Sequence, residues 1–188
     1  MIGRDAADYL VASRLGAARL EHSRRVALEA AELARRFGAD AAKAELAGLL
    51  HDYAREEPAA ELLAEAARLG IPVGPVEARR PAGLLHAPVG AAQLLERGLI
   101  DAESAGAIAR HTVGGAGMTP LEKCLYLADF CEPGRGFEGL EEVRALARAS
   151  LAEAVAAAAR VSLLDLIGRG RGVVPDALAL YNEGHAGS

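Results

Sequence analysis

Apolar positions recur at the three- and four-residue spacing of amphipathic helices along almost the whole chain, and no segment alternates as a strand would. Prolines and glycines divide this pattern into separate helices. The predicted helices cover about 4–16, 19–37, 40 to the region of 51–52, 58 to near 70, 88–97, 101–111, 119 to just before 133, about 141–167 with a break near 150, and 175 to a tail at 184–188, with a loop over 71–81.

Several of these boundaries carry specific end signals. Gly38 suits the C-terminal stop of the second helix, and Asp40 and Asp101 suit N-caps. Thr119-Pro120-Leu121-Glu122 combines a capping box with a proline at the first helical position. The pattern predicts an all-α protein, a single domain spanning 1–188 that is built as a helical bundle with a short flexible C-terminal tail.

Composition and charge exclude some functions. The formal net charge is −5 and no long basic run occurs, which argues against binding to a nucleic-acid polymer. No stretch is long and apolar enough for a membrane span, and the start at Met1 is not signal-like. Cys124 and Cys131 are expected to be reduced, mostly buried thiols of a cytoplasmic protein.

The candidate chemistry lies in histidines and aspartates. Four of the five histidines fall at or near predicted helix ends, where a lone histidine is more often structural than a ligand. Two aspartates accompany them in apolar surroundings, where burying a carboxylate is costly unless a cation pairs with it. The pattern therefore predicts a metal site formed by His22, His51, Asp52, His86, His111 and Asp129.

This ligand set suggests two metal ions. His22, His51, Asp52 and Asp129 would hold one ion, and the remaining two histidines a second, with Asp52 bridging through its two oxygens. Imidazole and carboxylate ligands suit iron, manganese, cobalt or zinc rather than calcium. Two such ions clamp a phosphate and lower the pKa of a bound water, so the site predicts phosphate-ester chemistry.

The order His…His-Asp…His…His…Asp resembles the HD superfamily, and six blocks are similar to its YqeK family over roughly 9–183. The blocks are 22–26 (HSRRV), 47–53 (AGLLHDY), 85–91 (LHAPVGA), 107–112 (AIARHT), 117–123 (GMTPLEK) and 126–135 (YLADFCEPGR). The resemblance implies a single HD domain and the same six metal ligands. It further implies symmetrical hydrolysis of diadenosine tetraphosphate to two nucleoside diphosphates in an iron-binding site. The chain departs from the family pattern at Val113, Gly115 and Ala116.

Other residues are candidates for contact with substrate. Arg25, Thr112, Lys123 and Arg135 are expected to bind phosphate oxygens, although ordinary solvated charges and a helix cap explain them as well. Asp52 and His51 are the predicted catalytic residues. Arg169 and Arg171, which alternate with glycines, favour a surface turn, and His185 in the tail receives no role.

The leading hypothesis is hydrolysis of a dinucleoside polyphosphate by hydroxide held on the metals, in a possible homodimer. One alternative keeps the chemistry but acts on mono-, di- or deoxynucleoside triphosphates, because no base-recognition motif is readable. A di-iron HD oxygenase and a non-enzymatic nucleotide sensor are further alternatives.

Overall fold

The computed structural model describes residues 1–185, and within them the secondary structure is helical with no strand. The helices are α1 (Arg4–Ala12), α2 (Ala17–Phe37), α3 (Ala41–Leu50), α4 (Ala59–Arg68), α5 (Pro75–Arg79), α6 (Pro81–Leu84), α7 (His86–Glu96), α8 (Ala102–Arg110), α9 (Pro120–Cys131), α10 (Leu140–Ala147), α11 (Leu151–Gly168) and α12 (Pro175–Gly184). The predicted all-α class is confirmed.

The local end signals act as the sequence predicts. Gly38 ends α2 with a φ of 75°, in the left-handed region that favours glycine. The Asp40 carboxylate accepts from the amides of Ala42 and Lys43 and caps α3. Thr119 and Glu122 form the reciprocal capping box that opens α9. These caps satisfy amides that the first helical turn leaves unpaired, so they place each helix start to within a residue.

Some boundaries differ from prediction. The predicted loop 71–81 contains the short helix α5 and the first residue of α6, because Pro75 and Pro81 each occupy a first helical position where a missing amide proton costs nothing. α7 begins at His86 rather than Pro88, which still lies in the first turn, where amides have no helical partner. α1 ends at Ala12, four residues earlier than predicted.

One continuous apolar core, rich in alanine and leucine, joins the helices. α2 packs along α3 and α9, and α8 packs against α7, α9 and α3. At the α2–α3 crossing a Cβ on Gly48 would lie 2.7 Å from the Cα of Ala27, so the two backbones approach as closely as glycine allows. This close crossing brings the middle of α2 beside the end of α3. The continuity of the core supports the proposal of a single domain.

The remaining predictions concern the cysteines and the tail. Cys124 and Cys131 are free and buried, as predicted. The predicted flexible tail begins at the last residue of α12, and positions 186–188 lie outside the described residues. His185, at its start, stacks on Tyr181 with ring centroids 4.2 Å apart. Among the described helices, none has both the length and the apolar character needed to cross a bilayer.

Candidate metal centre

Five elements bring the six predicted ligands together. α2 carries His22 in its second turn, α7 begins with His86, and α9 carries Asp129 in its last turn. His51 and His111 stand at the C-terminal caps of α3 and α8, which confirms their prediction at helix ends. Asp52 follows in the turn after α3. The four histidines are all buried.

Asp52 lies between two pairs of histidines. Its Oδ2 is 3.4 Å from His51 Nε2 and 3.9 Å from His22 Nε2. Its Oδ1 is 3.3 Å from His86 Nε2 and 3.9 Å from His111 Nε2. Each carboxylate oxygen therefore faces a different pair of imidazole nitrogens.

Asp129 approaches the first pair from the opposite helix. Its Oδ1 lies 3.1 Å from His22 Nε2 and 4.0 Å from His51 Nε2, and it also accepts from Arg135. Burial acts to raise the pKa of Asp129, but the neighbouring His22 imidazole and the positive charge of Arg135 outweigh it and hold the pKa well below its usual range. The carboxylate is therefore ionised at neutral pH.

Hydrogen bonds fix which imidazole nitrogen faces the centre. His51 Nδ1 lies 2.7 Å from the carbonyl oxygen of Gly48, and His111 Nδ1 lies 2.8 Å from that of Ile108. A carbonyl only accepts, so each Nδ1 carries a proton, and in the neutral ring each Nε2 presents a lone pair. Burial lowers the pKa of His111 to about 3, so this imidazole is neutral at pH 7.

Glu132 performs the same task for His22, and sequence reasoning missed it. Its Oε1 lies 3.3 Å from His22 Nδ1, while its Oε2 accepts from Arg25 at 2.7 Å and from the Gly134 amide at 2.7 Å. Burial opposes ionisation, yet these donors lower the pKa of Glu132 to about 2. The carboxylate is thus a permanent acceptor that holds the imidazole with its Nε2 toward the centre. The two partners are 110 positions apart in the chain, so no local signal links them.

The site fits divalent transition-metal ions. The buried Nε2 atoms of His22 and His51 have no hydrogen-bond partner among residues 1–185. The Nε2 atoms of His86 and His111 face each other at 3.2 Å, an arrangement that a cation between lone pairs relieves. Two overlapping groups offer ligand atoms within 4.8 Å of one another, His22-His51-Asp129 and His51-Asp52-His111. Neutral imidazole plus carboxylate is a donor set for iron, manganese, cobalt or zinc.

A cavity of about 470 Å³ opens onto this centre. Thr112 and Arg135 both line this cavity. The Oγ1 atom of Thr112 lies 3.1 Å from His111 Nε2. The structure thus brings both of these predicted substrate residues to the site. Arg171, expected in a surface turn, also lines the cavity.

The other two predicted substrate residues lie elsewhere. The Arg25 guanidinium is paired with Glu132, and neither Arg25 nor Lys123 is among the residues that line the cavity. Sequence reasoning instead missed Arg19, whose Nη1 lies 3.0 Å from Asp52 Oδ2. It also missed Arg55, which is 3.9 Å from Oδ1 of the same carboxylate. Arg19 precedes His22 by three positions and Arg55 follows Asp52 by three, a helical spacing that was the available signal.

An all-helical bundle with a buried His-Asp centre defines a class of proteins. Residues 19–134 match the family model described as HD domain, and the chain therefore belongs to the HD-domain family. Proteins of this family depend on divalent metal ions, in keeping with the donor set described above.

Relatives and a solved structure narrow this further. The chain is 40% identical over 183 residues to the symmetrical bis(5'-nucleosyl)-tetraphosphatase of Bacillus subtilis, covering 96% of this chain and 97% of that one. A second enzyme of that name, from Halalkalibacterium halodurans, is 35% identical over 97% of each chain. A crystal structure described as a predicted HD superfamily hydrolase involved in NAD metabolism, from Clostridium acetobutylicum, superposes with a TM-score of 0.93 at 30% identity over 100% of both chains. The resemblance to the YqeK family is confirmed, and the chain is a metal-dependent phosphohydrolase.

The contact between Glu132 and His22 leads to a testable prediction. Glu132→Ala is expected to weaken metal affinity about 10- to 100-fold, because His22 loses the acceptor that orients it. Competition of the purified variant against a chelator measures this. Glu45→Ala, which removes a carboxylate paired with Arg4 on the protein surface, is the control and should bind metal as the wild type does. Equal chelator midpoints for Glu132→Ala and the wild type would show that Glu132 does not position His22.

Proposed function

We propose that this chain hydrolyses diadenosine tetraphosphate and related dinucleoside polyphosphates symmetrically, to nucleoside diphosphates. The observation that carries the proposal is the Asp52 carboxylate, whose two oxygens face two histidine pairs at the floor of an arginine-lined cavity. The two relatives named above, which are symmetrical bis(5'-nucleosyl)-tetraphosphatases at 35–40% identity, support the choice of substrate.

We assign metal binding to the six predicted ligands, as a centre of two ions, and propose iron as the metal. His22, His51 and Asp129 would hold one ion and His86 and His111 the other, with Asp52 contributing to both. When bound, the metals supply positive charge to the phosphates and lower the pKa of water. The imidazole lone pairs fixed by backbone carbonyls support this assignment.

The chain's own residues supply the remaining functions in this proposal. Arg80 and Arg171 line the cavity and have no carboxylate partner among the described residues, so both are available to phosphate oxygens. The buried Nε of Arg135 is also without a partner there. Thr112 offers a hydroxyl at the same wall. Together these groups neutralise and orient a polyphosphate, which is most of what phosphoryl transfer requires of a protein.

Asp52 and His51 are the proposed catalytic residues. Burial acts to raise the pKa of Asp52, but His51, His86 and His111 outweigh it and hold the pKa well below the usual range. The carboxylate, which Arg19 and Arg55 flank, is therefore ionised and can accept a hydrogen bond from the attacking water. Attack at one of the two central phosphorus atoms breaks its bond to the bridging oxygen. The water oxygen stays on one diphosphate and the bridging oxygen leaves with the other.

Product analysis tests this function. Metal-loaded protein incubated with diadenosine tetraphosphate should yield ADP as the sole nucleotide product, resolved by chromatography. ATP plus AMP would mean asymmetrical cleavage and would contradict the proposal. So would the absence of any product, and a panel of mono-, di- and deoxynucleoside triphosphates run beside it would then identify a nucleotidase.

The proposal also covers the cellular compartment, the kind of substrate and the oligomeric state. We infer that it acts in the cytoplasm on free nucleotides and not on nucleic-acid polymers, in keeping with two free cysteines and a net charge of −5. We also infer a homodimer, which the exposed Leu164 and Ile167 on α11 would suit. Sedimentation of the purified protein tests the dimer.

A further inference from the structure

A second cavity, of about 850 Å³, opens beside the metal centre. It shares part of its wall with the first cavity. The shared residues are Phe130, Arg135, Phe137, Ser162 and Asp165. Phe130 directly follows Asp129 in α9, and Arg135 donates to Asp129. The second cavity therefore lies directly beside the metal centre.

The two cavities differ in charge. Five arginines and three aspartates line the first, so arginine exceeds carboxylate around the metals. Three arginines and three carboxylates line the second. Two of those arginines are already paired there, Arg160 with Glu142 at 2.8 Å and Arg169 with Asp165 at 2.6 Å. The first cavity suits a polyphosphate, whereas the second suits an uncharged group.

Aromatic side chains mark the boundary between the cavities. The chain has three phenylalanines, and two of them lie here. Phe130 and Phe137 meet edge to face, with ring centroids 5.0 Å apart and an interplanar angle of 89°. Phe137 lies in the segment between α9 and α10 and is 42% exposed. Part of an aromatic ring is thus open to a ligand, while its contact with Phe130 holds it in place.

The size of the proposed substrate requires a second binding cavity. A cavity of about 470 Å³ is near the lower end of the about 300–1,000 Å³ that binds one drug-sized ligand. A dinucleoside tetraphosphate carries two nucleosides, and symmetrical cleavage requires the middle of the tetraphosphate at the metals. One nucleoside of the bound substrate must then lie outside the first cavity, at the other end of the phosphate chain.

We propose that the second cavity binds one nucleoside of the dinucleotide, with its purine base stacked on Phe137 and Arg135 holding the adjoining phosphate. This rests on the proposed function, since it assigns a subsite to that substrate. It makes Phe137 a substrate-binding residue that favours dinucleotides over substrates with a single nucleoside.

Steady-state kinetics give the first test. With diadenosine tetraphosphate, Phe137→Ala in the metal-loaded protein should raise KM about tenfold with a much smaller change in kcat, because base–aromatic stacking is lost in ground and transition states alike. Phe137→Tyr, which keeps a ring able to stack, should restore the wild-type KM. A KM for Phe137→Ala equal to that of the wild type would overturn the proposal.

Fluorescence gives a second test that does not depend on turnover. The chain contains no tryptophan, so Phe137→Trp introduces a single fluorophore at the proposed stacking position. Titration with ADP should quench it saturably, because the adenine stacks on the indole. Tyr9→Trp, at a position on α1 that is 80% exposed, is the matched control and should show no saturable quenching.

The two tests separate the subsite from the reaction. Saturable quenching without hydrolysis of the dinucleotide would refute the proposed function and support the nucleoside subsite. Hydrolysis without an effect of Phe137→Ala on KM, and without quenching beyond the control, would support the function and refute the subsite.

Discussion

Replacing Asp52 with alanine is expected to lower kcat/KM for diadenosine tetraphosphate by at least about a thousandfold, since two bound ions supply several kcal/mol of charge stabilisation. The cause is the loss of both oxygens that face the two histidine pairs. Metal content measured on the same sample should fall as well. The helical fold should largely persist, because the removed side chain belongs to the site and not to the apolar core.

A control variant and a second measurement make this result specific. Asp5→Ala removes a fully exposed aspartate on α1 and should leave turnover and metal content unchanged. Circular dichroism of Asp52→Ala should show wild-type helicity, which excludes unfolding as the cause of inactivity. If Asp52→Ala keeps both its metal and its turnover, the centre described here is not the active site.

Gly48→Ala is expected to destabilise the protein by about 3 kcal/mol, the upper part of the range for overpacking. The added Cβ would lie 2.7 Å from the Cα and 2.9 Å from the amide nitrogen of Ala27, so backbone and not a flexible side chain must move. The carbonyl of Gly48 also accepts from His51 Nδ1, and a shift of α3 away from α2 would displace that ligand. Loss of stability should therefore be accompanied by weaker metal binding.

Chemical denaturation measures the first effect and chelator competition the second. Gly168→Ala is the matched control, because a Cβ at the end of α11 meets nothing within 4 Å and its backbone is not left-handed. Its free energy of unfolding should stay within about 0.5 kcal/mol of the wild type. A Gly48→Ala protein as stable as this control would show that the α2–α3 crossing tolerates a side chain.

Much of the fold was predictable because its signals are local. The Asp40 and Asp101 caps, the capping box at Thr119 and the break at Ser150 each involve groups within a few residues of one another. The stretch 71–81 was less readable, since prolines that begin short helices also occur in loops. Helix ends without a capping side chain, such as that of α1, were the least accurate.

The same difference between local and long-range signals decides which parts of the candidate site could be predicted. The proposed ligands were visible in sequence because their residue types and order are unusual, and the structure brings all six together. Their supporting partners were not visible, since contacts such as Glu132 with His22 and Arg19 with Asp52 join distant parts of the chain. Lys123 shows the converse case. It precedes Asp129 by about two helical turns on α9, yet it does not line the cavity.

The most direct test of the two-ion centre is elemental analysis of the wild-type protein purified without oxygen. A two-ion centre predicts about two transition-metal ions per chain, with iron predominant, because two histidine pairs share the carboxylate of Asp52. A stoichiometry of one ion per chain, or none, in protein that hydrolyses diadenosine tetraphosphate would contradict it.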